Sequence, residues 1–178
     1  DVYKRQFQDY FVRAVQLGQT AISFTEHGNI YQWVAKKMAC DKAGIKYLHG
    51  VECYLTEQLY EYPDANELWR EAQSGRNEQD AKKVLAEMME SGKKKVRDNY
   101  HTILIAKNYD GILEINNLVS LSNRDDHFYY KPRITFEEFL GISDNVIKIS
   151  ACLASPLNKM SVRHPMYEKL LKHYDYLE

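Results

Sequence analysis

The chain has little that would tie it to a membrane, a secreted scaffold or a polyanion. Its 3 cysteines, Cys40, Cys53 and Cys152, fall into no paired spacing. An odd count argues against a disulfide framework and for a reducing compartment. No apolar run approaches the ~18 residues that a bilayer span requires, and no basic-then-apolar leader opens the sequence. The expectation is a cytoplasmic protein with no membrane partner. Charge of one sign is also lacking: 24 Lys and Arg against 25 Asp and Glu leave a formal net charge of −1. Any contact with nucleic acid must therefore come from local clusters of Lys and Arg. There is no initiator Met, no internal repeat and no low-complexity tract. What remains, 44% hydrophobic and 28% charged residues over 178 positions, is the composition of one folded domain.

Periodicity gives the elements. Residues 7–19 (FQDYFVRAVQLGQ) set Phe7, Tyr10, Phe11, Ala14 and Val15 at helical spacing. Residues 20–25 (TAISFT) read as a short buried strand, followed by a turn at Gly28 and Asn29. A helix over 30–43 is expected to turn Ile30, Trp33, Val34 and Met38 inward and to close at Gly44. Strands follow at 45–55, 101–107 (HTILIAK) and 145–150 (NVIKIS), with helices at 109–122, 136–140 and 164–177. Between 57 and 97 the alternation breaks into a Glu-, Lys-, Gln- and Asn-rich stretch that reads as a helical insertion. It carries Val84, Leu85, Met88 and Met89 within 79–91, and a second short helix over 66–73 held by Leu68 and Trp69. Strand then helix, repeated, predicts a parallel α/β arrangement.

Four short runs place a metal-ligating side chain beside small or polar residues: TEHGN at 25–29, GVE at 50–52, DNYH at 98–101 and SAC at 150–152. His27 follows its strand by two residues, Glu52 lies near the end of its strand, and Cys152 comes two after Ser150, so three of the four sit where strands give way to loops. His101 instead opens its strand. Imidazole, carboxylate and thiolate together suit zinc, manganese or iron better than magnesium or calcium. Each residue has a plainer reading. His27 could be a hydrogen-bonded loop histidine, Glu52 a carboxylate paired with a buried base, His101 a strand cap and Cys152 a small core residue. Cys40 and Cys53 read as packing, and His49, His127, His164 and His173 carry no strong case. The run Lys93 to Lys95 reads as a solvated loop rather than a DNA contact.

Six runs, AISFTEHGNIYQ, KAGIKYLHGVECYL, YHTILIAKN, NNLVSLS, FYYKPRI and SACLAS, occur in the order in which similar segments occur in one family. From about Phe7 to about Pro156 the chain resembles the PHP (polymerase and histidinol phosphatase) domain of bacterial DNA polymerase III alpha subunits. The resemblance implies part of an irregular (β/α)7 barrel, with residues 1–178 as a partial PHP domain and 57–97 inserted in it. It implies a site of up to three divalent metals to which His27, Glu52, His101 and Cys152 contribute. The implied reaction is phosphoester hydrolysis, as a 3′ to 5′ exonuclease or a pyrophosphatase, or else the site is a structural remnant. The family's early His-x-His and Asp and its late Asp-x-His have no match here, and residues 1–6 fit the family poorly and look non-native. On that reading the first and last strands are missing and the piece alone is inactive. Implied partners are a DNA primer-template, through a polymerase module outside this chain, and other replicase subunits. Glu26 stands where the family has Asp, as support for His27 or a further ligand. In HFYYKPRI at 127–134, Lys131 and Arg133 could position phosphate oxygens, the alternative being a structural turn built on Pro132. A free-standing phosphoesterase similar to histidinol phosphatase is the other role the fold allows.

Overall fold

The longest strand forms where apolar and polar residues alternate across KYLHGVECYLT: Val51, Cys53 and Leu55 are buried on one face, and Glu52 and Tyr54 belong to the other. The structure, a computed structural model, describes residues 7–178, so the suspected non-native hexapeptide lies outside the described residues. Its strands are β1 (Ala21–Phe24), β2 (Lys46–Thr56), β3 (Tyr60–Glu61), β4 (Lys94–Lys95), β5 (Tyr100–Ala106), β6 (Arg133–Thr135) and β7 (Val146–Ile149). Its helices are α1 (Phe7–Gln16), α2 (Trp33–Ala43), α3 (Ala65–Gln73), α4 (Glu78–Gly92), α5 (Tyr109–Ser122), α6 (Phe136–Leu140), α7 (Pro156–Lys159) and α8 (Tyr167–His173).

The main sheet runs β1-β2-β5-β7, with β6 also paired to β2. It is mixed, not parallel as the strand–helix alternation predicts. β1 and β6 lie parallel to β2, whereas β5 is antiparallel to both β2 and β7. The reason lies in the connections. A single helix, α2, carries the chain from β1 back to a parallel β2. The chain leaves β2 at Thr56 into an excursion made of β3, α3, α4 and β4, whose two short strands pair with each other. It re-enters at Tyr100 opposite Leu55, and so must run the other way. The segment expected as a helical insertion is thus two helices closed off by a small ribbon. Among the described residues β1 and β7 stand at opposite ends of the order and do not pair.

The core lies on the face of Val51, Cys53 and Leu55, which meets Leu104, Ile115, Ile134, Phe136, Phe139 and Leu170 from β5, α5, β6, α6 and α8. Each such side chain contributes about 1.5–3 kcal/mol on burial. Side-chain N-caps start two of the helices that frame it. Asn108 accepts from the Gly111 N–H to start α5, and Thr135 with Glu138 forms a capping box on α6. Two expectations fail. In α2 the buried residues are Lys36 and Cys40, while Val34 and Met38 face solvent; a carboxylate and a carbonyl beside the helix draw Lys36 inward and rotate the apolar pair out. The last helix ends at His173, after which Tyr174 enters the core and Ser150 N–H bonds the Tyr176 carbonyl, continuing the chain as an edge beside β7. The face opposite the core carries Glu52, Tyr54 and His101 with half-buried Ile103, Ile105, Ile147 and Ile149.

Candidate metal centre

Glu52 sits in the middle of β2, not near its end, at the point where one edge of the strand changes partner. β1 pairs with residues 46–49 and β6 with 54–56. The gap between them is filled by the turn at 26–28: Glu52 N–H donates to the Glu26 carbonyl at 3.0 Å and Gly28 N–H to the Glu52 carbonyl at 2.8 Å. His27 is thereby held as a bridge partner of Glu52. The turn requires Gly28, whose φ is +66° and where a Cβ would stand 2.5 Å from Pro132 Cγ.

On the other edge Tyr54 faces His101 across the antiparallel pair, which puts the His101 ring one diagonal step from Glu52 on the same face. The result is a contiguous set. One oxygen of Glu52 lies 2.5 Å from His27 Nδ1, the other 2.5 Å from His101 Nδ1, and Cys152 Sγ lies 3.7 Å from the same His101 nitrogen. Cys152 reaches this point because Ala151 takes a φ of +59° just after β7. Its loop is pinned by His101 N–H to the Ala154 carbonyl and by Ser155 N–H to the Cys152 carbonyl. The Glu52 side chain is 12% exposed, that of His101 20% and that of His27 77%, so the site opens to solvent on the His27 side. Burial, helped by the charges of Lys131 and His27, holds the His101 pKa below its ordinary value against the pull of Glu52. On the opposite face Cys53 is buried, its thiol pushed up to about 12 by burial and by Glu52.

In chemistry the donors suit a soft or borderline divalent metal. In disposition they contact one another: among the described residues no three His, Cys, Asp or Glu side chains stand as a metal shell. When both imidazoles donate from Nδ1 to Glu52, each keeps its lone pair on Nε2. The Glu26 side chain lies elsewhere. It bonds Lys36 Nζ, which also donates to the Tyr31 carbonyl at 2.6 Å, and burial lowers the Lys36 pKa.

The basic turn divides in two. Lys131 Nζ stands 4.1 Å from the centroid of the Tyr54 ring, itself 5.1 Å from the His101 ring. Arg133 is wholly buried: its Nε and Nη1 donate to the carbonyls of His127, Val96 and Asp98 while its Nη2 is buried without a hydrogen-bond partner, a placement that suits a structural turn. His127 is buried as well, with Asp126 at 2.9 Å and Glu138 at 2.8 Å on its two nitrogens. Sequence reading missed three contributors: Tyr54, Lys36 and His127. Tyr54 was within reach, because period 2 in GVECY sets it on the face of Glu52.

The sequence matches the PHP domain family over residues 4–177. Among curated proteins it is similar to the DNA polymerase III subunit alpha of Chlamydia pneumoniae, 27% identical over 158 residues, which is 89% of this chain and 10% of that protein. It is similar to that of Borreliella burgdorferi at 26% over 155 residues, 87% of this chain and 11% of that protein. The subunit of Treponema pallidum is 30% identical over 146 residues, 81% of this chain and 10% of that protein. The chain thus spans about a tenth of the length of these relatives. With the match covering nearly its whole length, the chain belongs to the PHP domain family.

Proposed function

We propose that this chain is the PHP part of a replicative DNA polymerase III alpha subunit, and that His27, Glu52, His101 and Cys152 hold divalent metal for phosphoester hydrolysis. The substrate we assign is the 3′ end of a DNA primer, with pyrophosphate as the small-molecule alternative. The observation that carries this reading is the placement of Glu52, whose two oxygens meet both imidazoles while the thiol stands beside one of them. A bound zinc, manganese or iron would supply the charge that polarises a phosphoryl oxygen and acidifies water. The chain's own groups do the rest. Glu52 orients the two imidazoles, Tyr54 packs beneath His101, and Lys131 offers a positive point charge to a phosphate oxygen at the rim. Arg133 anchors the turn that presents Lys131. The mixed sheet is read as part of a (β/α)7 barrel, with nucleotide addition, primer-template binding and contacts to other replicase subunits belonging to the longer protein.

A second reading is favoured by one observation, the contact of the donors with one another and not around a common point: the site is a structural remnant that braces the polymerase. A free-standing phosphoesterase is disfavoured because the relatives described above are named as polymerase subunits. The test is shortening of a 5′-labelled single-stranded primer by the polymerase subunit carrying this chain, with manganese supplied. The expected loss is about 100-fold or more in Glu52→Gln and in His101→Ala. Equal rates in both variants would place the activity elsewhere, and a wild type that binds no metal and trims nothing would establish the remnant.

A further inference from the structure

The small β3–β4 ribbon, whose Lys93 to Lys95 the sequence reads as a solvated loop, and the turn at 127–133 form one surface. Lys95 on β4 bonds the carbonyl of Asp125 and donates to that of Phe128 at 2.9 Å, fastening the ribbon to the turn. Four of the five residues at 93–97 are basic (KKKVR). Three of the four cations lie against tyrosine rings: Lys93 and Lys95 stand 4.6 and 6.0 Å from the Tyr60 centroid, and Arg97 stands 5.5 Å from that of Tyr130. Tyr130 is 72% exposed and is held at a φ of +58° between bridged Tyr129 and Lys131, a backbone state that costs energy for a residue with a side chain. Phe128 beside it is also exposed. The surface does not stop there, since Lys131 lies over Tyr54, which packs on His101.

We propose that this surface, from Tyr60 and Lys93 through Arg97 and Tyr130 to Lys131, is a track for single-stranded nucleic acid that leads a strand end to Glu52. The proposal rests on the phosphoesterase reading for its direction but not for the binding itself. Exposed Tyr130 and Phe128, with half-buried Tyr60 nearby and the cations of Arg97 and Lys131 beside them, match a chain of bases and phosphates. Unpaired bases can stack on the rings and phosphates can meet Arg97 and Lys131, while Lys93 pairs with Glu90 and Lys95 fastens the ribbon. An acidic peptide would use the cations and leave the rings idle. A duplex would use the cations and keep its bases out of reach. The near-neutral charge of the whole chain makes the local concentration of Lys and Arg the relevant quantity.

The test is fluorescence anisotropy of a labelled oligo-dT about 12 nucleotides long, with chelator present so that no hydrolysis contributes. The chain is expected to bind it in preference to a duplex of equal length, Tyr130→Ala to weaken binding about tenfold, and Tyr130→Phe to retain it. Arg97→Gln with Lys94→Gln should flatten the dependence of affinity on salt. Wild-type affinity in Tyr130→Ala and in the charge variant overturns the track, as does a polyglutamate peptide that binds equally well with the same sensitivities. If the oligonucleotide binds as stated while the metal-supplied polymerase subunit trims nothing, the phosphoesterase reading fails and the track stands. If trimming occurs but is indifferent to Tyr130→Ala, the track fails and the phosphoesterase reading stands.

Discussion

Glu52 is the residue through which the whole site is coupled to the sheet. Its backbone donates to Glu26 and accepts from Gly28, while its carboxylate meets His27 and His101, so a displacement on either edge of β2 is felt at both imidazoles. Gly28 is the weakest point in that arrangement. A Cβ there meets Pro132 and Tyr54 at a φ that disfavours side chains. Gly28→Ala is therefore expected to cost about 1–3 kcal/mol in urea denaturation and to weaken metal binding at the same time. A variant as stable as wild type would show that the 127–133 turn yields freely. At this scale the sequence was partly legible. His27, Glu52, His101 and Cys152 stood out by residue type, although Glu52 falls in mid-strand and not at the end where the sequence put it. Lys36 and His127 did not stand out, because their meaning depends on carboxylates brought to them by folding. Val34 and Met38 misled for the same reason: periodicity marks an apolar face but cannot register a buried ion pair that outbids it.

Among the elements, the turn that follows α5 is fixed to the start of α6 by His127. Burial alone would lower its pKa, but hydrogen bonds from its two nitrogens to Asp126 and Glu138, with their charges, outweigh this and raise it. A histidine whose folded pKa is raised contributes stability that is fully present below its unfolded value near 6.5 and is lost as pH rises through the higher folded value. The partners Asp126, bonded to His127, and Glu138, half-buried but bonded to Thr135 and His127, are held below their ordinary values. Their share fades as pH falls through that lowered range. Stability should thus decline on both sides of a mildly acidic optimum, and His127→Gln should remove the alkaline limb and cost about 1–3 kcal/mol in denaturation at pH 6. An unchanged pH profile in His127→Gln would assign the dependence to another group. Pattern foreshadowed β1, β2, β5, β7 and most of the helices but not the short β3, β4, β6 and α7, and it did not give strand direction. Pairing of β3 with β4 brings residue 100 back beside residue 55, and no local periodicity encodes that return.

For the molecule as a whole, metal bound by the native site and not by the unfolded chain must raise the melting temperature by mass action. A concentration 100 times the dissociation constant adds about 2.7 kcal/mol, which for a domain of this size is roughly 5–10 °C. Manganese or zinc should produce such a shift in scanning calorimetry and chelator should reverse it; an unshifted melt would favour the structural remnant. The most direct test of the metal centre is the absorption spectrum of the chain titrated with cobalt(II), because thiolate ligation gives an intense near-ultraviolet band that carboxylate and imidazole alone do not. The account predicts that this band appears at equimolar cobalt, vanishes in Cys152→Ser while weaker cobalt binding persists, and is lost together with binding in Glu52→Gln. A spectrum without the thiolate band, or one unchanged in Glu52→Gln, would contradict it.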